Sequence, residues 1–220
     1  MVIRFLDLCL DAVDARRAAD FWAPALGLTA EAVDDKFLLT DGDDAHRLWI
    51  NPVPEPKTVK QRVHFDLHVA AVSDLTALGA TVLNDTQPWT DLADPEGGEL
   101  CAFVREPERL PDYRLYEVVV DSADPHVIAS WWAEQFGVPA QHDQDEGFSW
   151  LAEAPGRPWE MIFTRVPEPK TVKNRIHWDV RGDVAPLVAA GARVLREPGG
   201  DIHWTVMADP EGNEFCVFDD

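Results

Sequence analysis

The strongest constraint on the fold is a stretch of sequence that occurs twice. Residues 53–66 read VPEPKTVKQRVHFD and residues 166–179 read VPEPKTVKNRIHWD, so 11 of 14 positions are identical at a constant offset of 113 residues. A repeat this long indicates a duplicated domain, because solenoid repeats recur roughly every 20 to 50 residues. We therefore predict two related halves, residues 1–108 and residues 109–220.

Each copy of the repeat consists of a Pro-rich arm followed by a predicted strand. Polar and apolar side chains alternate in this strand, which predicts one face covered by a helix and one polar face. The polar side chains are Arg62, His64, Asp66 and His68 in the first copy, and Arg175, His177, Asp179 and Arg181 in the second. Because the order Arg-x-His-x-Asp recurs in both copies, we expect the polar face to line a cavity. The alternative is an edge strand with a solvated face.

The predicted elements follow the same order four times. A strand over residues 2–12 precedes a helix over residues 15–26, which Asp14 caps and Gly27 ends. Pro24 is expected to kink or shorten this helix. Short strands follow at residues 28–33, 37–40 and 47–51, and the pattern then restarts. The predicted fold class is α+β: a tandem duplication of paired βαβββ units, four in all, with mixed sheets whose apolar faces are covered by the helices.

The charge and composition of the chain limit the classes of molecule that it is expected to bind and indicate a cellular location. The chain has 40 acidic and 19 basic residues, and its formal charge of −21 opposes binding to nucleic acid or to an anionic membrane surface. Its three cysteines lack close spacing, which favours a reducing, cytoplasmic setting over a disulfide framework. Basic residues are concentrated in the two arms. These basic side chains either form an anion-binding site or, as the favoured interpretation, make ion pairs with nearby acidic residues.

These patterns carry a resemblance to a known family. Paired βαβββ units, a helix with Phe21 and Trp22 (or Trp131 and Trp132) before a glycine, and the sequence ADPEGNEFCVF resemble the vicinal oxygen chelate superfamily. The closest resemblance is to its glyoxalase-like, bleomycin-resistance-type branch. It implies two units edge to edge in a cupped sheet, with helices on the outer face and a ligand cavity inside. It does not imply one reaction, since this scaffold hosts isomerases, dioxygenases, lyases and drug binders.

The resemblance also implies where metal ligands would lie. The candidate sets are Asp7, His64 and Cys101 in the first half, and Glu117, His177 and Cys216 in the second. Such a mixed set suits Zn²⁺. However, cysteine replaces the usual last-strand glutamate in both sets, which disfavours the Fe, Mn, Ni and Mg chemistry of the family. The expectation is therefore no cofactor, with a divalent metal as the alternative.

Two functions remain open at this stage. The first is a binding protein for a small aromatic or cationic molecule, with Asp7, Trp49, Arg62, Cys101, Glu117, Trp159, Arg175 and Cys216 as ligand-binding residues. The second is a lyase or isomerase that uses His64, His177, Asp66 and Asp179 as catalytic groups, with or without a metal. Four units in one chain are compatible with a monomer or a homodimer.

Overall fold

The computed structural model describes residues 3–143, 145–152 and 156–219. The helices are α1 (Ala15–Leu26), α2 (Val72–Ala77), α3 (Pro125–Phe136) and α4 (Val184–Ala189). The strands of the first half are β1 (Arg4–Ala12), β2 (Thr29–Val33), β3 (Lys36–Thr40), β4 (Leu48–Pro52), β5 (Val63–Val69), β6 (Thr81–Asn84), β7 (Thr90–Ala93) and β8 (Glu99–Val104). Those of the second half are β9 (Leu115–Ser122), β10 (Gln141–Asp143), β11 (Phe148–Leu151), β12 (Glu160–Arg165), β13 (Ile176–Arg181), β14 (Arg193–Arg196), β15 (Thr205–Ala208) and β16 (Glu214–Phe218).

The predicted fold class is confirmed, since the chain forms four βαβββ units in sequence order. Helix α1 has the predicted bounds. The Asp14 carboxylate accepts a hydrogen bond from the Arg17 amide at 3.0 Å, and Gly27 ends the helix with a φ of 77°. The expectation that Pro24 would shorten α1 is wrong. Ala25 and Leu26 are buried beyond it, and their packing retains the last turn. None of the described helices is long and apolar enough to cross a membrane.

The sheets combine units from different halves. Units 1 and 4 form one eight-stranded sheet in the order β14-β15-β16-β13-β1-β4-β3-β2, here called the terminal sheet. Units 2 and 3 form the other in the order β10-β11-β12-β9-β5-β8-β7-β6, here called the middle sheet. The antiparallel pairs β1–β13 and β5–β9 join the units at the centre of each sheet. A polar face is therefore always assembled from both halves of the chain.

The two long helices connect the sheets through aromatic contacts. Trp22 of α1 packs edge-on against Phe65 of β5, with ring centroids 5.4 Å apart. Trp132 of α3 packs in the same way against Trp178 of β13, at 5.2 Å. Phe65 and Trp178 are fully buried and belong to the apolar faces predicted from the alternation. This packing fixes the helices on the faces opposite the His and Asp side chains.

The two Pro-rich arms, residues 53–62 and 166–175, cross between the sheets in opposite directions. The first leads from β4 to β5 and the second from β12 to β13. Each arm holds the other, because Arg62 donates to the carbonyl of Glu168 at 2.6 Å and Arg175 donates to the carbonyl of Glu55 at 2.7 Å. This reciprocal contact uses an arginine at the same position of each arm and gives a physical reason for the repeated arginine.

Candidate functional site

The structure groups the predicted site residues differently from the sequence. Asp7 lies on the terminal sheet, whereas His64 and Cys101 lie on the middle sheet. Likewise, Glu117 lies on the middle sheet, away from His177 and Cys216. The two candidate sets are thus corrected by exchanging their carboxylates. The physical reason is the cross-pairing of the units, which no pattern within one half specifies.

On the middle sheet, an imidazole, a thiol and two carboxylates lie close together. His64 Nε2 is 3.3 Å from Asp66 Oδ1. Asp66 pairs in register with Glu117 of the adjacent antiparallel strand and with Cys101 of the adjacent parallel strand. His64, Cys101 and Glu117 are partly exposed, so this group is accessible to a small molecule.

A third carboxylate extends this group. Glu160 of β12 pairs in register with Glu117. Burial raises the pKa of Glu117 well above its ordinary value, and the neighbouring Asp66 and Glu160 charges add to the shift. Among the ion pairs of the described residues, Asp66 joins only His64 and no lysine or arginine joins Glu117 or Glu160. Arg157 interacts electrostatically with Glu160, while its guanidinium donates to the backbone carbonyls of Trp159 and Leu151.

Aromatic side chains border the same face. Tyr116 stacks on His68 with ring centroids 4.3 Å apart and meets Phe103 edge-on at 5.5 Å. Trp89 stacks on Phe103 at 5.7 Å, and its indole nitrogen donates to Asp91 at 2.9 Å. The middle sheet therefore combines an acidic centre with an aromatic border.

On the terminal sheet, the corresponding carboxylate already has a cationic partner. Arg47 Nε donates to Asp7 Oδ1 at 2.7 Å, and the indole nitrogen of Trp49 donates to Asp7 Oδ2 at 3.3 Å. Burial raises the pKa of Asp7, and Arg47 opposes that shift. Asp7 and Trp49, both predicted as ligand-binding, are thus bonded to each other.

The rest of the terminal polar face is more deeply buried. Cys9 donates from its thiol to Asp179 at 3.5 Å, and Cys216 forms a hydrogen bond to the same carboxylate. Burial and the nearby Asp7 raise the pKa of Asp179 to about 7, and burial lowers the pKa of His177 to about 4. Asp179 Oδ1 and His177 Nδ1 are buried and have no hydrogen-bond partner among the residues that the structure describes. This face holds a neutral imidazole near neutral pH.

Other predicted ligand-binding residues lie away from both groups. Trp159 is buried, with its ring edge-on to Phe5 at 5.1 Å. Arg62 and Arg175 line a cavity of about 1240 Å³ between the two arms. The arm lysines make ion pairs, as the favoured reading expected: Lys57 to Glu99 at 2.7 Å, Lys60 to Asp121 at 2.6 Å, Lys170 to Glu214 at 2.7 Å, and Lys173 to Asp11. The charged groups of this cavity are therefore largely engaged with one another.

Several residues of the polar faces were not among the predicted site residues. Cys9 follows Asp7 with the same alternation, so its position on the polar face could have been found from β1. Arg47 and Glu160 could be noted from sequence only as polar residues of the strand before each arm, because their role depends on which strands lie beside β1 and β9. Tyr116 and Phe103 were also missed. Tyr116 adjoins a register shift between Asp66 and Leu67 on the partner strand, which simple alternation does not anticipate.

Within the described part of the chain, two groups of side chains have donor atoms that could hold a metal ion. The donor atoms of His64, Asp66 and Cys101 lie within 4.8 Å of one another, as do those of Cys9, His177 and Asp179. Imidazole, carboxylate and thiolate together fit Zn²⁺, and Asp179 Oδ1 has no hydrogen-bond partner among the described residues and could serve as a ligand atom. A bound Zn²⁺ would supply Lewis-acid polarisation of a ligand oxygen. Burial, with the nearby Asp66 and Asp91 charges, raises the pKa of the Cys101 thiol, so ligation would require loss of a strongly held proton.

Comparison with solved structures identifies the fold. Glyoxalase I from Zea mays superposes with a TM-score of 0.67 at 15% identity, covering 99% of this chain and 92% of that chain. A putative dioxygenase from Bacillus subtilis subsp. subtilis str. 168 gives a TM-score of 0.61 at 14% identity, covering 99% and 85%. The cppA protein from Streptococcus pneumoniae TIGR4 gives 0.53 at 10% identity, covering 99% of both chains. This is the vicinal oxygen chelate fold that the sequence resemblance predicted.

The sequence comparison assigns the family and locates both copies. No curated protein matches the sequence significantly. The family described as "Glyoxalase-like domain" matches twice, at residues 7–103 and 117–218. These two segments span nearly all four units and contain the polar face residues of both sheets. The chain therefore belongs to the glyoxalase-like domain family, as a tandem pair of its domains.

Proposed function

We propose that the protein binds a small organic cation, with an aromatic or methylated ammonium group, on the polar face of the middle sheet. The observation that carries this proposal is the carboxylate group formed by Asp66, Glu117 and Glu160, which no lysine or arginine neutralises among the described ion pairs. The ligand's positive charge would sit beside Glu117.

Electrostatics supports a cationic ligand over an anionic or neutral one. Glu117 faces Asp66 on one neighbouring strand and Glu160 on the other, so ionisation of all three is opposed by like-charge repulsion. A cation at this position relieves that repulsion and lowers the pKa of Glu117 towards its ordinary value. Binding is therefore coupled to release of a proton from this group.

The aromatic border supports an ammonium with apolar substituents. Arg105 lies over Phe103 at 5.7 Å and over Tyr116 at 5.6 Å, at distances that cation–π contacts adopt. The rings of Tyr116 and Phe103 thus already accept a cation at the edge of the face. Such rings contact methyl or aryl groups of a ligand while the carboxylates bind its charge.

The test is a calorimetric titration with benzyltrimethylammonium, using benzyl alcohol as a neutral aromatic comparison. We expect binding of the cation and at least tenfold weaker binding of the alcohol. Replacing Glu117 by Gln removes a half-buried charge partner, so we expect a loss of affinity of about tenfold or more. Glu31→Gln is the matched control, because Glu31 is exposed on β2 at the far edge of the other sheet.

The cavity between the arms provides the competing location. It is bordered by Val59 and Val172, each 42% exposed. If Val59→Asp with Val172→Asp changes binding of the cation and Glu117→Gln does not, the ligand occupies the arms and the proposal is wrong. If Glu117→Gln alone weakens binding, the middle sheet is the site.

A second candidate function is proton transfer on the bound molecule, as in a lyase or isomerase. It is favoured by the raised pKa of Glu117, which holds a proton closer to neutral pH than an ordinary carboxyl, and by the His64 and Asp66 pair beside it. His64, Asp66 and Glu117 would then transfer protons, and the His177 and Asp179 pair would not take part. Exchange of deuterium from solvent into a bound ketone or amine, lost in Glu117→Gln, distinguishes turnover from binding alone.

A further inference from the structure

The two polar faces carry opposite charges at one pair of equivalent positions, Arg47 and Glu160. Cys9 pairs with Trp49 on the terminal sheet, and Val119 pairs with Ile162 on the middle sheet. Counting back two residues from each of these four positions leads to Asp7 and Arg47 on the terminal sheet, which lie side by side. On the middle sheet it leads to Glu117 and Glu160, which also lie side by side. The same place in the fold therefore holds a cation on one sheet and an anion on the other.

The contacts of Arg47 show what this difference does. Its guanidinium binds Asp7 at 2.7 Å and Asp44 at 3.2 Å, and only 26% of its side chain is exposed. A charged guanidinium bound to a carboxylate at this distance neutralises most of the carboxylate's field. Asp7 therefore has little attraction left for a second cation.

Neighbouring differences act in the same direction. His68, Asp91 and Tyr116 of the middle sheet correspond in the sequence alignment of the copies to Arg181, Val206 and Leu6 of the terminal sheet. Compared with the middle face, the terminal face therefore has a second arginine and lacks one carboxylate and one aromatic ring. It keeps one aromatic pair, Trp204 and Phe218, stacked at 5.1 Å.

We infer that only the middle sheet binds the cationic ligand, and that the Arg47 side chain occupies the equivalent place on the terminal sheet as an internal substitute for it. This inference rests on the proposed function. It makes Arg47 and Glu160 the residues that determine which of the two faces is a binding site. One chain then binds one ligand, although it contains two complete sheets.

The test combines stoichiometry with exchange of these charges. Calorimetric titration of the wild-type protein with benzyltrimethylammonium is expected to give one site per chain. Glu160→Arg introduces the cation that the terminal sheet already has, so binding should fall by at least about tenfold. Glu160→Gln keeps the side-chain size and should cause a smaller loss, which separates the charge effect from misfolding. Circular dichroism melting of each variant checks the fold.

The reciprocal variant opens the terminal sheet. Arg47→Gln together with Arg181→His removes both arginines, and we expect the stoichiometry to rise from one to two. Arg16→Ala is the control for loss of an exposed positive charge, since the Arg16 side chain is 68% exposed on α1, and it should leave one site. Wild-type binding at two sites, or Glu160→Arg binding with unchanged affinity, would overturn this inference while leaving cation binding intact. Absence of any wild-type binding would overturn both proposals.

Discussion

Asp66 and Glu117 are direct cross-strand partners on β5 and β9, so two carboxylates face each other at the centre of the middle sheet. Their terminal counterparts, Asp179 and Asp7, are paired in the same way on β13 and β1. Carboxylates on directly paired residues of adjacent strands oppose each other's ionisation, and burial adds to the effect. Both pairings therefore have pH-dependent consequences, for ligand affinity on the middle sheet and for stability on the terminal sheet.

The first prediction concerns the pH dependence of ligand affinity. Protonated Glu117 attracts a cation less than ionised Glu117, and its pKa is raised by burial and by Asp66. Affinity for benzyltrimethylammonium should therefore rise as the pH increases through the neutral range. His64, Cys101, Glu160 and Tyr116 also face this group. The Glu117→Gln variant should have weaker affinity and a flatter pH profile in the same titration.

A profile that keeps its full slope in Glu117→Gln would assign the titration to another of these groups. His64 is the first to exclude, because its protonation would also repel a cation. His64→Gln serves as the comparison. If His64→Gln removes the slope and Glu117→Gln does not, Glu117 is not the titrating group.

The second prediction concerns stability and the buried Asp179. Its folded-state pKa is raised from an ordinary 3.8 to about 7, so the folded protein retains a proton that the unfolded chain loses. Asp179 therefore contributes a fall in unfolding free energy as the pH rises from about 4 to about 7. His177 contributes in the opposite sense, because its pKa is lowered from 6.5 to about 4 and its share of stability is gained over that range.

Two variants separate these opposing contributions. Asp179→Asn should make the unfolding free energy rise more steeply with pH, because the His177 contribution remains. His177→Gln should make it fall more steeply. Urea denaturation at pH 4.5, 6 and 7.5 measures both slopes. Equal slopes in the two variants would show that neither group titrates as its burial requires.

The third prediction concerns the acidic turns before the last strand of units 2 and 4. Trp22 donates from its indole nitrogen to Asp94 at 3.1 Å, and Trp132 donates to Asp209 at 3.1 Å. Asp94 Oδ1 also accepts from the amides of Glu96 and Gly98, at 2.8 Å each. Asp94→Ala removes all three bonds from a buried location, so we expect a loss of about 1–3 kcal/mol in unfolding free energy.

Thermal and urea unfolding measure this loss, with Asp85→Ala at an exposed position as the control. Asp209→Ala should behave like Asp94→Ala, because the two turns are equivalent. An unchanged stability in Asp94→Ala would mean that the hydrogen bonds of Asp94 do not stabilise the turn at residues 94–97. In that case its retention in both copies would need another reason.

The sequence predicted the units well and their association poorly. Alternation in β5 and β13 placed His64, Asp66, His177 and Asp179 correctly on polar faces, because the side-chain period of a strand is a local property. The pairing of β1 with β13 depends on contacts between residues about 170 positions apart, such as Cys9 with Asp179. No local pattern encodes that choice. The available signal was the similar sequence of the two arms, because these arms are the segments that cross between the sheets and allow β1 to pair with β13.

The same limit applies to the candidate site. Arg62 and Arg175 share the alternation of the histidine strands, and this made them candidates for ligand binding. In the structure their guanidiniums bind backbone carbonyls of the opposite arm. Trp159 was assigned to a cavity strand and is instead buried beside Phe5. The sequence predicts which side chains share one face of a strand. It does not predict which residue of a distant segment each of them contacts.

The last prediction concerns metal dependence. We propose that cation binding on the middle sheet needs no metal, because the ligand's own charge neutralises Glu117 and because the Cys101 thiol holds its proton, with a pKa raised by burial and by Asp66 and Asp91. Affinity for benzyltrimethylammonium should therefore be the same, within about twofold, before and after chelator treatment, and in Cys101→Ser. Elemental analysis of untreated protein gives the zinc content for each titration. Stoichiometric zinc whose removal abolishes binding, together with loss of that zinc in Cys101→Ser, would instead assign His64, Asp66 and Cys101 to a metal site and rule out direct recognition of the cation by carboxylates.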